Sequence, residues 1–126
     1  MKDEKINGNL NAKIMCERLL FALKRGRNYR RAALNSIKTI MNSKAHGVEI
    51  SIEENVNDNE IRMYCARSGS ILTQSSIDKK KQEQYFSSYS LSEGKYTIKI
   101  LIDRHGEMPI TSINKKIEEQ EFLKSV

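Results

Sequence analysis

The chain has 126 residues, 38% of them apolar, 30% charged and 6% aromatic with no Trp, which suits one modest core built on Ile, Leu, Val and Met. No apolar run approaches the roughly 20 residues that cross a bilayer. Asp3, Glu4 and Glu17 also interrupt the stretch where a secretory leader needs continuous apolarity, so a cytoplasmic chain with no membrane partner is expected. The net charge of +6 is unevenly spread: residues 1–46 hold eleven Lys/Arg against three acids, and no acid occurs between Arg18 and Glu49. Such a field favours an anionic partner, either nucleic acid or an acidic protein surface.

In chain order, residues 1–8 are polar and end in Gly, as a flexible arm does. Asn9 or Asn11 then caps a first helix that buries Ala12, Met15, Cys16, Leu19, Ala22 and Leu23 at helical spacing and reaches Lys24. Arg25-Gly26-Arg27-Asn28 breaks it, with Gly26 placed for a left-handed C-terminal cap and Asn28 for the next N-cap. The second helix spans about Tyr29 to Ser43, with Tyr29, Ala33, Ile37, Ile40 and Met41 as its apolar stripe.

After His46-Gly47 the period changes to two. Val48, Ile50 and Ile52 predict a half-buried strand, and Asn55–Asn59 a turn. A second strand follows, in which Ile61, Met63 and Cys65 alternate with Arg62, Tyr64 and Ala66; Ser68-Gly69-Ser70 turns, and Ile71–Thr73 forms a short strand. Residues 74–84 read as a mobile connection, Tyr85–Leu91 as an edge strand, and Tyr96, Ile98, Ile100 and Ile102 as one face of the strongest strand. Beyond Pro109 a closing helix is expected over Ser112–Lys124, docked by Ile113, Ile117 and Phe122 or Leu123. The expected fold is α+β in a single domain over residues 1–126, with two winged-helix-like N-terminal helices, an antiparallel sheet of three to five strands and a C-terminal helix.

The exposed side of the second helix carries the chemistry. Arg27, Arg31, Asn35, Lys38 and Asn42 recur at steps of three and four, with Arg30 beside them and Lys24 and Arg25 at the preceding turn. Helix, Gly turn, basic helix and polar-tipped hairpin follow the order of a winged helix-turn-helix, whose second helix enters the major groove. Arg27, Arg30 and Arg31 then suit phosphates or guanine, Asn35 adenine and Lys38 the backbone. A solvated row of surface charge explains the same pattern.

Asn28-Tyr29-Arg30-Arg31-Ala32-Ala33-Leu34, with Ile37, Ile40 and the strand Val48–Ile52, resembles the recognition helix and first wing strand of the GrlA/CaiF family of bacterial transcription regulators. That resemblance implies a DNA-binding transcription regulator with Arg30 and Arg31 facing DNA. DNA is favoured over RNA as the partner. A regulator this small must dimerise or recruit another protein. The alternative is a non-enzymatic adaptor or inhibitor, its basic face on an acidic partner or its edge strand extended by one.

Catalytic and cofactor readings find little. Asp103-Arg104-His105-Gly106 has no nucleophile beside it, no phosphate-loop glycine pattern occurs, and Cys16, His46, Cys65 and His105 are too scattered for a zinc site or a disulfide framework. No enzyme, metal or cofactor is expected.

Overall fold

The structure, a computed structural model, describes residues 8–57, 59–69, 82–91, 94–103 and 115–125. A 3₁₀ turn at Gly8–Leu10 leads into helix α1, Ala12–Lys24, whose N-cap Asn11 accepts the Ile14 N–H at 3.0 Å. The helix ends as its sequence dictates. Gly26 takes φ 84°, the Arg27 N–H returns to the Ala22 carbonyl and the Gly26 N–H to the Leu23 carbonyl. One residue later Asn28 caps α2, Tyr29–Asn42, by accepting the Arg31 N–H at 3.1 Å.

Five strands follow: β1 (Gly47–Asn57), β2 (Glu60–Gly69), β3 (Gln82–Leu91), β4 (Gly94–Asp103) and β5 (Ile117–Ser125). They form one antiparallel sheet in the order β3-β4-β1-β2-β5. α1 lies over β3 and β4, and α2 over β1 and β2. The register explains why both helices take the same face. Ile50 stands opposite Ile100 on one side and Ala66 on the other, and Val48 and Ile52 likewise meet Ile102 with Ser68 and Ile98 with Tyr64. All nine are buried, and they meet Met15, Cys16, Leu19 and Leu23 of α1 and Ala33, Ile37, Ile40 and Met41 of α2. Each large aliphatic side chain buried there is worth about 1.5–3 kcal/mol, so this interface holds the fold.

Several expectations change. In β2, where the alternation leaves the inward side open, Tyr64, Ala66 and Ser68 face the helices, while Met63 and Cys65 lie on the other side of the sheet. The predicted C-terminal helix is absent: Ile117–Ser125 is strand β5, paired along β2 from Ser68–Ile117 to Glu60–Ser125. Glu, Gln, Leu and Lys favour a helix there, but the open edge of β2 offers a ladder that outweighs the weak local preference. The 74–84 connection is shorter than expected at its end, because β3 begins at Gln82. The hairpin expected as a wing is not one among the described residues, since β1 and β2 are interior strands of the sheet and α2 packs on them. The arm at residues 1–7, the 71–73 strand, the connection through 81 and the 104–114 segment, with His105, Pro109 and Ile113, lie outside the described residues.

Candidate nucleic-acid interface

α2 is amphipathic, and burying Ala33, Ile37, Ile40 and Met41 on the sheet turns Arg31, Asn35, Lys38 and Asn42 outward. Arg27, just before the N-cap, is exposed on the same side. The first turn of α2 contains no acid, so its positive dipole end adds to the arginines. Between the outer edges of α1 and α2 runs a groove of about 390 Å³. Its floor includes Met15, Leu19, Ala22 and Ala32, and its rim Arg18, Arg27, Arg31, Asn35, Ser36 and Thr39. A second cleft shares Asn28, Arg31 and Asn35 and adds Arg30, Leu34 and Lys38. Among the described residues, no acid lines either one.

Of the predicted site residues, the structure thus brings Arg27, Arg31 and Asn35 together in the first cleft and Arg30, Arg31, Asn35 and Lys38 in the second. Lys24 and Arg25 stand exposed at the end of α1 and line neither cleft, and the Arg25 guanidinium lies 5.4 Å from the Phe21 ring centroid. Arg18 was not among the expected site residues. Met15, Arg18, Leu19 and Ala22 are spaced i, i+3, i+4, i+7, which is the signal that places this arginine on the groove side of α1. Its Nη1 donates to Asn9 Oδ1 at 2.7 Å, and Asn9 Nδ2 donates to Ser43 Oγ at 3.1 Å, so the 3₁₀ turn ties Arg18 to the far end of α2.

Arg30 is differently placed. It makes a two-pronged contact with Glu119 of β5, Nε at 2.6 Å and Nη2 at 2.9 Å, and the Tyr64 hydroxyl donates to the same carboxylate at 2.8 Å. These donors hold the Glu119 carboxyl below the usual carboxylate range, with Arg30 the leading cause. Tyr29 stacks edge-on against Tyr64 with ring centroids 5.5 Å apart and donates to Glu121. One of the two arginines expected to face nucleic acid is therefore paired to the edge strand.

The opposite sheet face carries Cys65, whose thiol lies 3.4 Å from Glu49 Oε2 and 3.7 Å from Ser51 Oγ. Burial is the leading cause of its raised pKa, so it is a poor thiolate source. Among the described residues, no group of three or more His, Cys, Asp or Glu is arranged to hold a metal, and no helix is long and apolar enough to cross a membrane.

No family model matches the chain. Among curated proteins it is 30% identical over 109 residues to the small ribosomal subunit protein uS3 of Sulfurisphaera tokodaii, covering 86% of this chain and 47% of that protein. The chain is similar to uS3. The uS3 of Thermofilum pendens is 32% identical over 111 residues, 88% of this chain and 55% of that protein, and a 46-residue stretch is 50% identical to uS3 of Methanospirillum hungatei, covering 36% of this chain and 19% of that protein. The chain spans about half the length of the first two of these relatives.

The uS3 relatives overturn the resemblance to GrlA/CaiF regulators. That resemblance rested on about 25 residues, whereas similarity to uS3 runs through most of the chain. DNA-binding transcription regulation through a winged helix-turn-helix is withdrawn with it, as is the adaptor or inhibitor alternative, because the relatives carry the name of a ribosomal protein. DNA as preferred partner and a homodimer lose their basis too. The non-enzymatic reading agrees with these relatives, since the name they share is not that of an enzyme.

Proposed function

We propose that this chain is a uS3-like component of a small ribosomal subunit and that the outer side of its two helices contacts ribosomal RNA. The observation that carries the reading is similarity to uS3 over 86% of the chain, coinciding with an acid-free helical face. Arg18, Arg27, Arg31 and Lys38 present donors for phosphate oxygens, and Asn35 donates and accepts at base edges or 2′-hydroxyls. Arg30 acts through β5 instead, its charge met by Glu119. The chain works wherever that subunit works, which for a ribosome is the cytoplasm.

The test is binding to a structured RNA as a function of salt. Log affinity falls linearly with log salt, with a slope of about −0.7 to −0.9 per neutralised phosphate. Arg27→Ala, Arg31→Ala and Lys38→Ala each flatten the slope by about one contact, and Arg30→Ala leaves it unchanged. A slope unaffected by all four changes overturns this placement of the RNA face.

A further inference from the structure

The groove between α1 and α2 has a feature that phosphate binding alone does not require, an apolar floor. Met15, Leu19, Ala22 and Ala32 lie beneath three arginines in a space of about 390 Å³, the size of a pocket that encloses a small ligand. A duplex offers such a groove phosphates, 2′-hydroxyls and base edges but no base face, because its bases are stacked on one another. An unpaired nucleotide offers an anionic group and, at the same time, a base face that can bury apolar surface against such side chains or lie along an arginine.

We infer that this groove seats a single unpaired nucleotide of RNA, its base on the α1–α2 floor and its phosphate between Arg18, Arg27 and Arg31. The inference rests on the RNA-binding reading above and names the ligand of part of that face. Charge complementarity supports it: among the described residues no Asp or Glu lines the groove, and the α2 N-terminus, capped by Asn28, opens beside Arg27 and Arg31. Arg18 is preorganised by Asn9, so its guanidinium needs little ordering on binding. Asn35 and Ser36 on the rim supply hydrogen-bonding groups for the edge of the base.

The experiment compares the chain's affinity for two RNA hairpins of equal length, one fully paired and one with a single bulged nucleotide, by fluorescence anisotropy across a salt series. The wild-type chain is expected to bind the bulged hairpin about tenfold more tightly, the scale of roughly 60 Å² of apolar surface removed from water. Ala22→Leu fills the floor from α1 and Ser36→Leu fills the groove from α2. Each brings the ratio to about one. Circular dichroism checks the fold of both variants, and either folded variant suffices. Equal binding of the two hairpins by wild type, with the salt slope intact, overturns the nucleotide seat and leaves the RNA reading standing. A preference that survives in the folded variants overturns the seat as well. Salt-independent or absent binding to both hairpins overturns the RNA reading itself.

Discussion

Gly69, at the end of β2, has φ 78°, and a Cβ added there would lie 2.3 Å from the His46 carbonyl oxygen and 2.8 Å from Met41 Cε. The carbonyl belongs to the residue leading into β1, so it cannot yield without disturbing the central strand pair. Gly69→Ala is expected to cost at least about 2 kcal/mol, read as a lowered urea midpoint. Lys44 presents the reverse case. It occupies the left-handed position after α2 at φ 72°, where glycine is favoured by about 1 kcal/mol, so Lys44→Gly should raise the midpoint. Buried Cys16 supplies a pH dependence. Burial, with a smaller push from Glu17, moves its thiol from 9.0 to about 11. The unfolded chain therefore loses this proton first, and the stability it represents is whole below about pH 9 and lost as pH rises toward 11. Urea midpoints measured across that interval should fall, and Cys16→Ala should flatten the part of the fall that this thiol causes. At acid pH the sign reverses for Glu119, whose carboxyl is held low by Arg30. Its contribution is present above 4.5 and lost as pH falls below its depressed value.

At the scale of elements, the helices and the strands of residues 47–69 and 94–103 were legible because their signals are local. Asn11, Asn28 and Gly26 mark the helix ends, and Ile98, Ile100 and Ile102 keep a period of two. β5 was not legible. Ile117 to Ser125 has the composition of a helix, and only the free edge of β2, about fifty residues away in sequence, decides otherwise. Which side of β2 faces the core was equally hidden, since Ile61, Met63 and Cys65 are more apolar than Arg62, Tyr64 and Ser68, and register with β1 makes the choice. β5 is anchored on the helix side by Arg30 and Tyr64 meeting at Glu119. Glu119→Ala should speed amide exchange in β5 relative to β1 and β4. Arg30→Ala should do the same, with little further effect when the two are combined, because both changes remove one contact.

Across the whole molecule, sequence alone located the basic surface but could not assign its partner. Arg27, Arg31, Asn35 and Lys38 share a face by helical spacing, and that much is written in positions 27 to 38. The capture of Arg30 by a residue 89 positions later is not, nor is the packing of α1 against α2 that recruits Arg18. Electropositive helices meet the phosphates of DNA and RNA through the same contacts, so charge could not choose between them. The choice of RNA comes from similarity to uS3 along most of the chain. The central claim is that this helical face joins the chain to a small ribosomal subunit. Co-sedimentation of the chain with isolated small subunits through a sucrose gradient, beside the Arg27→Ala/Arg31→Ala/Lys38→Ala variant, tests it most directly. Wild type should travel with the subunit and the folded triple variant should stay at the top; equal travel by both, or by neither, would contradict the claim.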